Sequence, residues 1–102
     1  MKNYYNKTLF AVTRTKGKAW DINKPMRSQQ QWDEHAAFMD KLVSDGFIVL
    51  GGPLGGEGNA LLIIEASDEN EIRKKLSQDN WSQMNILEIK DIQPWNILLQ
   101  SK

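Results

Sequence analysis

Hydrophobic positions in residues 32–43 recur at the spacing of an amphipathic helix. With successive residues about 100° apart, the apolar arc consists of Trp32, Ala36, Phe38, Met39, Leu42 and Val43. The opposite, charged side consists of Asp33, Glu34, Asp40 and Lys41. His35 falls inside the apolar arc. Because an imidazole titrates near neutral pH and is costly when buried without a partner, this histidine needs a hydrogen-bonding group close to it.

Capping signals predict where two helices begin and end. Ser28 with Gln31 three residues later resembles a capping box, and Asp45-Gly46 is a typical stop, so the first helix is expected over residues 29–45. A second helix is expected from Ser67/Asp68, with Glu71 as the reciprocal cap, to about Ser77. Its apolar stripe consists of Ile72 and Leu76.

Short apolar stretches bounded by turn residues predict four strands. They span residues 8–14, 47–50, 60–65 and 84–92, and a short apolar tail follows over residues 94–99. The second and third strands are expected to pair antiparallel across the glycine-rich connection 51–58. The order βαββαβ is that of a ferredoxin-like split βαβ fold: α+β, a four-stranded antiparallel sheet with two helices on one face.

The two middle strands are apolar on consecutive residues, which is typical of a sheet covered on both faces. The two helices cover one face, and no predicted element remains for the other. A homodimer formed by sheet-to-sheet packing is therefore expected.

Composition limits the classes of partner. The chain has 102 residues, expected to form one domain over 1–102, with 13 basic and 13 acidic residues and a net charge of zero. This balance argues against nucleic acid and anionic membrane surfaces as partners. The sequence contains no cysteine, no apolar stretch of membrane-spanning length and no signal-peptide pattern, so a cytoplasmic protein is expected.

Two residues stand out as candidates for acid–base chemistry. His35 is either a core histidine bonded to a backbone carbonyl or a pocket residue that transfers protons. Asp79, at the turn before the last strand, is either a helix-exit residue in an Asx-type turn or the carboxylate that orients His35. In a split βαβ fold the two helices lie side by side, so we expect the two side chains to be close.

Other candidate sites are weaker. Arg14 ends an apolar row of the first strand, as either a solvated strand end or an anion-binding group. Residues 51–56 lack the lysine and hydroxyl of a phosphate-binding loop, and Gly51 and Gly52 are expected to let the backbone approach a side chain or ligand. One histidine and no cysteine make a metal site unexpected. The tryptophans serve either as packing and dimer contacts or as the apolar wall of a small pocket.

Five segments, in the same order along the chain, resemble the YCII-related proteins. They are residues 19–21, 32–43, 46–54, 76–81 and 92–99. The resemblance implies a dimeric ferredoxin-like α+β barrel, the architecture also used by muconolactone isomerases and small monooxygenases. It also implies that His35 and Asp79 match the histidine and aspartate of a suspected active site. Asn80 departs from the family, which usually has proline after the aspartate.

The resulting hypothesis is a cofactor-free lyase or isomerase of a small cyclic or aromatic metabolite. His35 is the predicted acid or base, and Asp79 orients it. The predicted substrate-binding residues are Arg14, Trp20, Trp32, Met39, Gly51, Gly52 and Trp81. The alternatives are a non-catalytic small-ligand binding or sensing dimer that uses the same pocket, and a purely structural module without a cleft beside His35.

Overall fold

A computed structural model describes residues 8–56 and 58–101. The strands are β1 (Leu9–Lys16), β2 (Ile48–Leu54), β3 (Asn59–Glu65) and β4 (Leu87–Trp95). The helices are α1 (Trp32–Ser44), α2 (Glu69–Leu76) and α3 (Asn80–Gln83), with a 3-10 turn at Met26–Ser28. The sheet order is β2-β3-β1-β4 with every neighbouring pair antiparallel, which confirms the predicted ferredoxin-like α+β fold.

The core lies between one face of the sheet and the two longer helices. On β1, Phe10 and Val12 pair with Ile64 and Leu62 of β3 and point to the helices. The α2 stripe completes this layer, because Ile72 and Leu76 are fully buried. Alternation along the strands sends every second side chain to the opposite face.

The opposite face of the sheet carries further apolar residues, and none of the described helices packs on it. Ala11 pairs with Ile63 there, and a bulge in β2 turns Leu50 to the same face, where it is 62% exposed. Trp95, opposite Leu9 on β4, is 46% exposed. In the described residues no helix is long and apolar enough to cross a membrane.

The first helix begins three residues later than its capping signal predicted. Ser28 ends the 3-10 turn and caps nothing, and Gln31 occupies the N-cap in a left-handed conformation with φ 58°. The buried Gln29 explains this, because its side-chain amide bonds the backbone of Asp21 and Lys24 and closes the preceding loop. The polar signal at residues 28–31 therefore belongs to the loop.

The second helix follows its predicted cap. The Asp68 carboxylate accepts the Glu71 backbone N–H, and the Glu71 carboxylate accepts from the backbone of Ser67, one residue before the N-cap. The last strand begins at Leu87 and not at residue 84, because residues 80–83 are helical and Asn85 has φ 61°.

Candidate active site

Asp79 lies at the junction between α2 and α3 and is fully buried. Its carboxylate caps α3 by accepting the backbone N–H of Trp81 at 3.1 Å, so the helix-exit role expected for it is real. The next residue, Asn80, is the first residue of α3, the position at which a helix accommodates proline best. Here its amide donates instead to the Gln31 side chain at 2.6 Å and ties α3 to the start of α1.

His35 is buried in the first turn of α1 and faces the same carboxylate. Its Nδ1 is 2.9 Å from both Oδ1 and Oδ2 of Asp79, across 44 residues of sequence. An ionised carboxylate only accepts hydrogen bonds, so Nδ1 carries the proton of this contact. In the neutral imidazole the lone pair is then on Nε2, to which no described residue donates a hydrogen bond.

Arg14 joins the pair from β1. Its Nη1 donates to Asp79 Oδ2 at 2.8 Å, and its Nη2 donates to Ser82 Oγ at 2.7 Å. The side chain is 1% exposed, so the solvated strand end considered for Arg14 is wrong. The anion that it binds here is the protein's own carboxylate.

The electrostatics keep Asp79 ionised. Burial opposes ionisation, but the hydrogen bonds from His35 and Arg14 and the positive charge of Arg14 outweigh it and hold the pKa of the Asp79 carboxyl below its usual value. The carboxylate therefore accepts from the imidazole, the guanidinium and the α3 backbone together.

Two tryptophans contact the imidazole, and a third packs against one of them. The Trp81 ring stacks on the His35 ring, with centroids 3.9 Å apart and planes 5° from parallel. Trp32 approaches both rings, with centroid distances of 5.7 Å to His35 and 5.6 Å to Trp81, and Trp20 meets the edge of Trp81 at 5.9 Å. Trp81 is itself fixed by donating its indole N–H to the Gln30 carbonyl at 2.7 Å.

A cleft of about 480 Å³ opens beside these rings. Its lining includes His35 and every residue that the sequence suggested for substrate binding: Arg14, Trp20, Trp32, Met39, Gly51, Gly52 and Trp81. Asp79 lies behind His35 and is not part of the wall. Whether these residues bind a substrate stays a prediction.

Several wall residues were not predicted. Lys16 lies two residues after Arg14 on the same strand face, and that alternation was the signal that could have found it. Asp40 and Val43 come from α1, and the β2–β3 hairpin adds Gly55, Gly56 and Gly58. The hairpin glycines reach the cleft because of the curvature of the hairpin, and the hydrophobic periodicity of the sequence does not predict that curvature.

Gly51 and Gly52 differ although both line the cleft. A Cβ on Gly51 would lie 2.6 Å from the Leu62 side chain and 3.0 Å from the Leu61 carbonyl oxygen, whereas a Cβ on Gly52 would meet nothing within 4 Å. The expected close approach of the backbone to a side chain is therefore found at Gly51. In the described residues no group of three His, Cys, Asp or Glu side chains could hold a metal ion.

Comparisons with known proteins support the fold. No family model matches the chain, and no curated protein matches its sequence. A solved structure, the 5-chloro-2-hydroxyhydroquinone dehydrochlorinase TftG from Burkholderia phenoliruptrix AC1100 in complex with 2,5-dihydroxybenzoquinone, is similar with a TM-score of 0.59 and 22% sequence identity. The similarity covers 85% of this chain and 92% of that chain. At this identity it establishes a shared fold, and membership of the YCII-related family stays a prediction.

Proposed function

We propose that the cleft is the active site of a cofactor-free lyase or isomerase that acts on a small cyclic or aromatic metabolite. One observation carries the proposal: a histidine on the cleft wall has one ring nitrogen engaged by a buried, ionised aspartate. This is the arrangement that leaves the second nitrogen of an imidazole available for proton transfer. The dehydrochlorinase of similar fold acts on a hydroxylated aromatic ring, which agrees with the proposed substrate class.

In the proposed reaction, Nε2 of His35 takes a proton from the substrate. The electron pair of the broken C–H or O–H bond moves into the ring. In a lyase the leaving group departs with the electron pair of its bond to the substrate as the new double bond forms, and Nε2 afterwards releases the proton to solvent. In an isomerase the same proton returns from Nε2 to a different carbon. Asp79 stays ionised throughout and balances the charge of the imidazolium.

The surrounding residues would position the substrate and the base. Arg14 would act as a positioning residue, because its Nη1 and Nη2 atoms already donate to Asp79 and Ser82. The indole rings of Trp20, Trp32 and Trp81 offer flat apolar surfaces that suit a ring-shaped substrate. Met39, Gly51 and Gly52 would complete the wall on the side of α1 and β2.

The test is the turnover rate of the His35→Gln variant on a ring substrate whose leaving group departs as an anion. Chlorinated hydroxyhydroquinones are suitable probes, followed by chloride release and by the absorbance of the quinone. Loss of one well-placed acid–base group should lower kcat by about 10²–10⁴-fold. Asp45→Asn, an exposed change at the C-cap of α1 and outside the cleft, is the surface control and should leave the rate unchanged. Turnover by His35→Gln at the wild-type rate would refute the assignment.

The same probes separate the enzyme from a non-catalytic binding or sensing protein. Aromatic walls bind rings without any chemistry, so the cleft suits both functions. A protein that binds the ring, never releases a product, and keeps its affinity in His35→Gln would be a ligand-binding module.

We also propose that the protein forms a homodimer through the face of the sheet opposite the helices. The exposed apolar side chains Leu50 and Trp95 on this face support the proposal. Leu50→Glu should then shift the protein from dimer to monomer in sedimentation equilibrium, whereas Ile22→Glu, at an exposed loop position, should not. A wild-type protein that is monomeric at micromolar concentration would contradict the dimer.

A further inference from the structure

Lys16 is the last residue of β1 and reaches the same cleft as Arg14. The two residues are separated by one position on a strand, so their side chains leave the same face of the sheet about 6–7 Å apart. His35 and Lys16 line the same cleft, so a ring whose reacting atom lies at His35 can present a substituent toward Lys16.

The side chain of Lys16 lies between the β2–β3 hairpin and Trp20. Its stem crosses Gly58 of the β2–β3 hairpin so closely that a Cβ there would lie 2.6 Å from the lysine Cε. Its ammonium lies 5.0 Å from the centroid of the Trp20 ring, within the range of a cation–π contact. Trp20 in turn meets the edge of Trp81, which stacks on His35.

The charge of Lys16 has no protein counter-ion in the described part of the chain. Lys16 is an exposed residue, and it takes part in none of the ion pairs among residues 8–56 and 58–101. Arg14, the other cation on the wall, is already neutralised by Asp79. Asp40, the remaining ionisable wall residue besides His35, is an exposed carboxylate on α1 and would repel an anion near itself.

We propose that Lys16 is a specificity-determining residue that binds an oxyanion substituent of the substrate, a carboxylate or an ionised ring oxygen. This rests on the proposed function, because it assumes that the cleft binds a ring. The sequence pattern suggested Arg14 for anion binding. The structure commits Arg14 to Asp79 and leaves Lys16 as the cation for that role. Binding through Lys16 would orient the ring with its anionic end away from the imidazole.

Pairs of similar ring probes, one with and one without the anion, test this assignment. 2,5-Dihydroxybenzoate is compared with hydroquinone for the carboxylate, and 4-nitrophenolate with 4-nitroanisole for the ionised oxygen. Dissociation constants are measured from the indole N–H signals of the tryptophans in NMR titrations. A hydrogen bond to a charged group should make the anionic member bind about tenfold more tightly to the wild-type protein.

Lys16→Met should remove this preference and leave the affinity for the neutral member unchanged. Lys18→Met is the matched control, because it removes the same charge from an exposed residue outside the cleft and should keep the preference. If Lys16→Met keeps the tenfold preference, or if Lys18→Met loses it equally, the assignment of Lys16 is overturned while the cleft remains a ring-binding site. If neither member of a pair binds the wild-type protein, the ring-binding cleft is overturned and the role of Lys16 with it.

Discussion

Asp79→Asn removes one charge from the most heavily used side chain of the site. The wild-type carboxylate accepts from His35, Arg14 and the backbone of Trp81. Asparagine has one acceptor oxygen in place of two, and its NH₂ group faces groups that also donate. If the amide donates to Nδ1 of His35, the imidazole proton must move to Nε2, and the lone pair needed in the cleft is lost.

The expected loss of stability follows from the burial of the ion pair. Arg14 is 1% exposed and Asp79 is fully buried, so the substitution leaves a buried guanidinium without its counter-ion. Its remaining partners are Ser82 Oγ at 2.7 Å and the Met39 sulfur at 3.9 Å. Breaking a buried pair in this way typically costs about 3–5 kcal/mol. Asparagine is nearly as good an N-cap as aspartate, so the capping of α3 contributes little to this difference.

The loss should depend on pH with a defined sign. The folded-state pKa of Asp79 lies below its ordinary value of 3.8, so its contribution to stability is fully present above that value. It is lost as the pH falls through the lower folded-state pKa. Urea unfolding followed by circular dichroism should therefore show the full difference between wild type and Asp79→Asn near neutral pH, and a shrinking difference below about pH 3.8.

Two further variants make the result specific. Asp45→Asn makes the same substitution at an exposed position and should change the free energy of unfolding by less than about 0.5 kcal/mol. Arg14→Met/Asp79→Asn removes both buried charges and should be more stable than the sum of the two single losses predicts. A loss below about 1 kcal/mol for Asp79→Asn at neutral pH, or the same loss at both ends of the pH range, would refute the reasoning about the buried pair.

Two other predictions concern the walls of the cleft. Gly51→Ala should destabilise the protein by about 1–3 kcal/mol, because its Cβ would collide with Leu62 and the Leu61 carbonyl. Gly52→Ala has open space around its Cβ and should cost less than about 0.5 kcal/mol in the same urea assay. Equal costs for the two variants would contradict the packing at Gly51. Trp81→Phe keeps an aromatic ring against His35 but loses the hydrogen bond to the Gln30 carbonyl. The free energy of unfolding should therefore fall by about 1–3 kcal/mol. An unchanged urea midpoint would mean that this hydrogen bond does not stabilise the fold.

The fold was predictable because its signals are local and repeated. Two apolar positions in α2 and the consecutive apolar residues of β3 were sufficient to assign those elements, and the order of elements then selected the sheet topology. The predicted start of α1 was wrong because a serine and a glutamine at capping distance occur equally well in a loop. Only the buried amide of Gln29, which is bonded to backbone groups five and eight residues earlier, distinguishes the two cases.

The site was predictable only in part, for a different reason. His35 and Asp79 were expected to be close because the topology places α1 beside the end of α2, and their atoms lie 2.9 Å apart. For the third member of the network, Arg14, the solvated strand end was wrong, and the anion it binds in the structure was not predicted. A single arginine at the end of an apolar strand row does not reveal whether it faces solvent, a ligand or a carboxylate 65 residues away. The surroundings of Arg14 depend on where α3 packs relative to β1, and the sequence of the strand does not contain that information.

The shared use of Asp79 determines which substitutions can test the chemistry. The carboxylate caps α3, neutralises Arg14 and engages His35, so any change at Asp79 alters the fold and the base together. A loss of activity in Asp79→Asn therefore cannot by itself be assigned to proton transfer. His35→Gln keeps the ion pair between Arg14 and Asp79 and the cap of α3, because neither involves the imidazole. The kinetics of that variant, at a temperature where it is folded, report on the proposed base separately from the buried charges that support it.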